Sequence, residues 1–230
     1  MKNLLNEKPS LNLRGRLKAS AEFVDNKDIR DKSILDIGCG YGWCELNFLK
    51  RGAKKIIGIE PSANDLQTAI KNIKNKKIEF KVCDALDLDF KPGSFDTVVC
   101  WEVIEHLPKN SENLLFKKIG VVLKKNGALY LSTPNHNFFS NLLDPAYWLI
   151  GHRHYSKERL KEFARKNSFT INKIEIKGKI FSALAILNMY LTKWLIKHKL
   201  FYEKHLTSLS DEEYNGKSGF VNIFIKYVKY

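Results

Sequence analysis

What this 230-residue sequence lacks narrows the choices first. Its four cysteines, Cys39, Cys44, Cys83 and Cys100, form no C-x-x-C pair and no small disulfide scaffold, so they read as reduced thiols of a cytoplasmic protein. No stretch reaches the ~18 uncharged apolar residues of a membrane span. The opening Met1-Lys2-Asn3-Leu4-Leu5-Asn6-Glu7-Lys8 carries no signal-peptide core. Internal repeats and low-complexity tracts are absent too. Acidic residues are in deficit, 25 against 39 lysines and arginines, for a net charge of +14. That excess suits an anionic partner (nucleic acid, acidic membrane or phosphorylated substrate) or, equally, a lysine-rich solvated surface. The hydrophobic fraction, 44%, is enough for one folded domain with an appended subdomain.

One stretch organises the rest: Ser33-Ile34-Leu35-Asp36-Ile37-Gly38-Cys39-Gly40-Tyr41-Gly42. Its apolar run predicts a strand buried on both faces, with Asp36 where that strand should end. Three alternating glycines then allow a sharp turn beneath a ligand. Trp43–Lys50 follows as a helix, so the module is strand, glycine turn, helix N-terminus, a nucleotide-type site. The G-x-G-x-G spacing is not the G-x-G-x-x-G of dinucleotide folds, and no P-loop lysine follows. An acidic residue placed to meet an amine fits a cofactor with an amino acid group and no pyrophosphate. The stretch resembles motif I of the class I S-adenosylmethionine (SAM) methyltransferases.

Strands and helices then alternate, which predicts an α/β fold with a parallel sheet and helices on both faces. Strands are expected at Lys55–Ile59, Ile78–Val82, Phe95–Cys100 and Ala128–Ser132, with helices near 16–26, 62–74 and 113–123. Thr133–Arg153 reads as irregular and aromatic-rich. A helix capped by Ser156 and a strand around Thr170–Ile176 come next. Lys179–His205 reads as one long helix, and Gly219–Tyr230 as a final strand. The resemblance implies a Rossmann-like, seven-stranded mixed sheet with a helical insertion before its last strand. The expected divisions are an N-terminal helical cap (1–30), a cofactor-binding core (31–178), the insertion (179–215) and the last strand (216–230).

Acidic residues stand at or beside four successive strand ends: Asp36, Glu60, Asp84 and Glu102. Ligands of open α/β sheets sit at those ends. Glu60 follows Asp36 at close to the ~20-residue spacing of a carboxylate that grips ribose hydroxyls. Asp84 and Ala85 are placed to meet an adenine edge. Each carboxylate could instead cap a helix, a reading that strains when applied to all four. Carried over residue by residue, the resemblance implies cofactor contacts at Asp36, Gly38, Gly40, Gly42, Glu60, Asp84, Ala85 and Cys100.

The cluster Trp101-Glu102-Val103-Ile104-Glu105-His106-Leu107 would, on a helical turn, stack Glu102, Glu105 and His106 on one face. Such a set can hold a divalent cation or supply acid and base. The motif looks like that of ubiquinone-pathway O-methyltransferases and of small-RNA terminal 2′-O-methyltransferases, where it binds Mg²⁺; Mg²⁺ or Mn²⁺ is the metal implied. In Gly151-His152-Arg153-His154-Tyr155-Ser156, His-x-His places two imidazoles on one strand face around an arginine that could meet an anion. His106 and His154 are the candidate bases; Asn135 and His136 are further candidates for orienting a substrate.

The insertion mixes an apolar stripe with Lys179, Lys193, Lys197, His198 and Lys199. It suits plain packing, a lid, a dimer face or a helix lying on a membrane. The expectation is a SAM-dependent O-methyltransferase acting on a small-molecule, lipid, quinone or glycan acceptor, cytoplasmic or peripheral at a membrane. One alternative is RNA 2′-O-methylation, which the charge favours and the lack of a dense basic tract disfavours. Another is a SAM-binding membrane-surface protein without catalysis. The glycine spacing disfavours an NAD-dependent oxidoreductase.

Overall fold

The apolar runs assemble into one seven-stranded sheet in the computed structural model, which describes residues 7–191, 203–216 and 218–230. The strands are β1 (Ser33–Ile37), β2 (Lys55–Glu60), β3 (Ile78–Val82), β4 (Phe95–Trp101), β5 (Leu123–Pro134), β6 (Phe169–Lys177) and β7 (Asn222–Lys229), in the order β3-β2-β1-β4-β5-β7-β6. β1 to β5 pair in parallel, and β7 runs antiparallel between β5 and β6. The order reverses at β1, with β2 on one side and β4 on the other. A crevice therefore opens above the carboxyl end of β1, where the glycine turn begins.

Two apolar layers sandwich the sheet. One gathers Leu35, Val98, Leu129, Phe116, Phe163 and Tyr227 beneath α4 (Glu112–Val122) and α7 (Lys157–Lys166). The other gathers Phe23, Ile34, Phe48, Tyr130, Tyr214 and Phe224 beneath α1 (Gly15–Phe23), α2 (Glu45–Lys50) and α9 (Glu203–Asn215). The helix α3 (Ala63–Asn72) begins with the expected cap, Ser62 Oγ accepting from the Asp65 amide at 3.3 Å. Ser156 Oγ caps α7 in the same way through the Arg159 amide at 3.2 Å.

Several elements differ from the sequence reading. The first helix stops at Phe23, Val24 is extended, and Asn26–Asp28 forms a separate 3-10 turn. The stretch expected to be irregular holds α5 (Phe138–Leu143) and α6 (Pro145–Leu149). Asn137 accepts from the Ser140 amide at 2.9 Å, and Asp144 from the Ala146 amide at 2.9 Å with Pro145 in the first turn. These are cap signals that aromatic composition obscured. In the insertion, α8 covers Ile180–Leu191; the expected continuation through Trp194 to Phe201 lies outside the described residues, and α9 follows. β5 starts earlier than expected, at Leu123, with a bulge opposite Phe95 and Asn126 at φ 60°. The N-terminal segment packs on the insertion: Lys18 Nζ donates to Asn215 Oδ1 at 3.2 Å and the Gly15 amide donates to Asp211.

Candidate active site

The glycine turn is stitched to the end of β2, the Gly38 and Cys39 amides donating to the Ile59 carbonyl at 2.8 and 3.0 Å. Gly38 (φ 75°) has no room for a side chain, because an added Cβ would lie 2.4 Å from Val103 Cγ2. Gly42 (φ 81°) is equally confined by Ile73 and Ala69. Gly40 differs: nothing lies within 4 Å of the Cβ it lacks, so the turn presents bare backbone to open space. That space is a cavity of about 450 Å³. Gly40 and Tyr41, Glu60 and Asp65, Trp101, Glu102, Glu105 and His106, and Asn222 line its sheet side, with Arg14 and Arg16 at α1. Leu143, Ala183, Ile186, Met189 and Tyr190 form an apolar wall opposite, supplied by α5 and α8.

Glu60 sits half-buried at the end of β2 and accepts from the Gly40 amide at 3.1 Å. Burial raises its carboxyl above the usual range, partly offset by the Gly40 and Ser62 amides. Trp101, at the end of β4, is buried with its Nε1–H unpartnered beside the cavity. An open glycine cradle, a carboxylate at the adjacent strand end and an orphaned donor fit a cofactor bearing hydroxyls and a carboxylate, as SAM does. Asp84 and Ala85 do not line the cavity; Asp84 closes an Asx turn, accepting from the Leu86 amide at 2.7 Å. Cys100 is fully buried in β4 between Ile37 and Leu131 and packs in the core. Asp36 likewise fails to reach the cavity: it is 1% exposed, beneath the turn rather than in front of it.

The expected metal trio does not converge. The helix that would have stacked it is a single 3-10 turn, Ile104–His106, and Glu102 lies outside that turn at φ 54°. That left-handed bend aims the Glu102 carboxylate back across the sheet end. There it accepts from Ser132 Oγ at 2.6 Å, from Asn222 Nδ2 at 2.9 Å and from Arg16 of α1. Glu105 is buried and accepts from Thr133 Oγ1 at 3.1 Å; burial and then the Glu102 charge hold its carboxyl well above the usual range. His106 turns to a third direction, its Nδ1 lying 3.0 Å from His152 Nε2. Among the described residues, the group whose donor atoms lie within 4.8 Å of one another is Asp36, Cys44 and Glu45. Glu102, Glu105 and His106 therefore do not fit a cation as they stand, and no step is derived through one.

The His-x-His segment also divides. Gly151 (φ 69°) and a bond from the His152 amide to the Ala146 carbonyl at 3.0 Å curl the chain, so its two imidazoles part. His152 joins His106 in the cavity wall, the rings 4.3 Å apart edge to face. His154 is buried away from the cavity, its side chain 0% exposed, with Nδ1 2.8 Å from Asn141 Oδ1 and Nε2 2.8 Å from Asp144 Oδ2. With both nitrogens occupied it is an anchor for α5 and α6 and not a base. Arg153 meets no anion from solvent. It donates to the carbonyls of Ile104 at 2.8 Å and Leu107 at 2.5 Å, and to Glu112 Oε1 at 2.9 Å. Tyr155 OH adds bonds to Ile104 O at 3.2 Å and Glu112 at 2.9 Å, so both residues strap the turn that carries His106. Asn135 is buried and donates to Phe220 O at 3.1 Å, and His136 is exposed outside the cavity. Burial and then the facing His152 lower the His106 imidazole, which keeps it neutral. The sequence reading passed over Arg14, Arg16, Trp101 and Asn222, of which only Trp101, an aromatic at a strand end, left a local signal; a lid was among the roles it held open for the helix that supplies the apolar wall.

A family model described as a methyltransferase domain matches residues 34–127. The chain is 32% identical over 123 residues to a protein of Neisseria meningitidis named ubiquinone biosynthesis O-methyltransferase, covering 50% of each chain. The chain thus spans half the length of that relative. A protein of the same name from Idiomarina loihiensis is 30% identical over 177 residues, 70% of this chain and 71% of its own. Among solved structures, an S-adenosylmethionine dependent methyltransferase from Mesorhizobium loti superposes with a TM-score of 0.65 at 15% identity, covering 92% of this chain and 96% of its own. The fold, the glycine turn and the extent of the Idiomarina match agree: the chain belongs to the class I SAM-dependent methyltransferases.

Proposed function

We propose that the chain methylates a hydroxyl oxygen on an acceptor with an apolar body, taken from a lipid surface. The observation that carries this reading is the make-up of one cavity. Its glycine floor and Glu60 suit SAM, its neutral His106–His152 pair suits an oxygen that must lose a proton, and its remaining wall is apolar. When bound, SAM supplies an electrophilic methyl group to an acceptor held in line with it. The chain's own contribution is then largely positioning. Gly38, Gly40 and Gly42 shape the seat, and Glu60 would accept from the ribose hydroxyls. Asp84 and Ala85 follow β3 outside the cavity lining, and Cys100 packs in the core behind it. His106 takes the acceptor proton through Nε2 while its Nδ1 faces His152. Arg153 and Tyr155 hold the turn at the height this requires.

The likeness to proteins named for ubiquinone biosynthesis supports an acceptor of that kind, a ring hydroxyl on an apolar molecule. The outer surface of the roof supports a lipid source. Phe138, Phe139 and Leu142 of α5, Trp148, Leu149 and Ile150 at α6, and Ile180, Phe181 and Leu184 of α8 are all exposed. The inner faces of α5 and α8 line the cavity, so the exposed collar is continuous with the acceptor wall. Patches of this extent mark interaction sites. No described helix is long and apolar enough to cross a membrane. A +14 charge and a collar that enters only the interface suit peripheral contact with anionic lipid.

The test is a labelled-methyl transfer screen with hydroxylated aromatic acceptors, with and without apolar tails, beside glycan and RNA fractions. Transfer should require the hydroxyl and improve with the tail. Phe139→Glu with Trp148→Glu should reduce flotation with anionic vesicles while leaving SAM affinity unchanged. Methyl transfer to RNA alone, or none to any hydroxyl, refutes the reading.

A further inference from the structure

The cofactor seat rests on a buried acidic pair that its surface chemistry does not use. Asp36 closes β1 directly beneath the glycine turn, and Glu45 rises into the same space from the first turn of α2; they are 1% and 0% exposed. β2 makes room with a glycine: a Cβ at Gly58 would lie 2.8 Å from Glu45 Oε1. Cys44 donates its thiol to Asp36 Oδ2 at 3.1 Å. Asp36 Oδ1 is unpartnered, and Glu45 is met only weakly by the Cys44 and Glu45 amides. Two ionised carboxylates with so few donors are disfavoured within 4.8 Å of each other in a dry site, since each lacks solvation and repels the other. If one holds a proton, the contact becomes a hydrogen bond that satisfies both. The titratable groups facing the pair are Cys39 and Cys44 of the turn, Glu60 of β2 and Cys100 of β4, and none of the strongest influences on either carboxyl is a cation. Burial accordingly raises both, Asp36 to about 6 and Glu45 well above the usual carboxylate range.

We infer that Asp36 and Glu45 share one proton in the free protein and release it to solvent when the cationic cofactor settles on the turn above them. The inference rests on the SAM reading of the cavity and extends it to residues that never touch the ligand. SAM carries a net charge of +1 from its ammonium, sulfonium and carboxylate groups, whereas its demethylated product is a neutral zwitterion. A second negative charge under the seat therefore stabilises the methyl donor more than the product. Across roughly 10 Å of protein at an effective dielectric of ~20, that preference is on the order of ten-fold in the affinity ratio. Glu45 thus acts as a positioning residue for charge, working through the turn.

Calorimetry of SAM binding at pH 7 in buffers of different ionisation enthalpy counts the released proton. The expected count is about half a proton per SAM, the most that a ten-fold coupling can release, less for the demethylated product, and near zero in Glu45→Gln. The same variant should narrow the SAM-to-product affinity ratio by about ten-fold. ¹³C-carboxyl NMR of the free wild-type protein provides a second arm that needs neither variant nor ligand. One carboxyl of the pair should still hold its proton at pH 7. Ordinary carboxylate titration of both groups overturns the inference, as does a proton count unchanged by Glu45→Gln. A bound metal ion in the purified protein that disappears in Glu45→Gln also overturns it, because a cation would then occupy the proton's place. Failure of SAM to bind at all sinks the cofactor reading and the exchange together. Tight SAM binding with ordinary titration sinks only the inference.

Discussion

Glu60 is the side chain on which the cofactor reading is most exposed to test, because its two tasks can be separated. One oxygen accepts from the Gly40 amide at 3.1 Å and fixes the turn. The Ser62 amide also meets the carboxylate, and the side chain lines the cavity. Glu60→Gln keeps a carbonyl oxygen for Gly40 but removes the charge. A hydrogen bond to a charged group contributes about 1.5–3 kcal/mol and a neutral one about 0.5–1.5, so one ribose bond should weaken by about 1–1.5 kcal/mol. SAM affinity should then fall about ten-fold, or about a hundred-fold if both ribose hydroxyls bind the same carboxylate. Glu60→Ala removes the ribose acceptor and also leaves the Gly40 amide unpaired, so it should cost about 2–4 kcal/mol of binding and some stability as well. Titration calorimetry with SAM, with NAD as a control ligand, measures the first effect, and thermal melts of the free proteins measure the second. The signature is a separation: Gln loses affinity at nearly wild-type melting temperature, and Ala loses both. Binding of SAM by Glu60→Gln within two-fold of wild type would falsify the ribose assignment.

Two further perturbations address the catalytic wall. His106 is lowered to about 4 by burial and by His152, so the base is present above that value and lost as pH falls through it. Turnover should be flat through neutral pH, survive EDTA and drop steeply in His106→Ala; abolition by EDTA, restored by Mg²⁺, would show that the carboxylates rearrange around a cation. Arg153→Lys keeps the charge but loses the planar fork that bonds three carbonyls and Glu112, which should cost about 2 kcal/mol and lower the melting temperature by about 4–8 °C. Unchanged stability together with an unchanged KM would refute the strapping role.

The parts of this molecule that could be read in the sequence are those fixed by local pattern. Apolar runs such as Val98–Val99 and Leu129–Leu131 become strands because a sheet covered on both faces favours them. The glycines at 38, 40 and 42 announce a turn because each takes positive φ. The site chemistry depended instead on single dihedrals and on distant partners. Glu102, Glu105 and His106 were placed on one helical face by spacing, but one left-handed residue, Glu102, sends its carboxylate to Ser132 and Asn222. The choice between His152 and His154 turned on Asp144, which caps α6 through one oxygen and holds His154 through the other. Nothing in the order of residues near 150 specifies that double use. Arg16, far away in sequence, meets Glu102 only because α1 and α9 pack together over the end of the sheet.

That last contact bears on how acceptor selection is built. The floor of the cavity comes from the ends of β1, β2 and β4, where the fold itself places a cofactor. The roof comes from α1, α5 and α8, which lie outside the family match at residues 34–127. A roof helix with no charged residue from Ile180 to Leu191 can offer an acceptor shape and apolar area but no ionic recognition. Polar selection must then come from the floor edge, from Arg14, Trp101 and the His106–His152 pair. Residues such as Ile186 and Met189 should accordingly change which acceptors are used while leaving the cofactor's affinity untouched. Truncating Ile186 to Ala should raise KM for an apolar acceptor by about five- to twenty-fold, as expected for about 1–2 kcal/mol of lost burial, with SAM binding unaltered. A loss of SAM affinity in that variant would mean that α8 braces the seat itself, and the division between a cofactor floor and an acceptor roof would have to be abandoned.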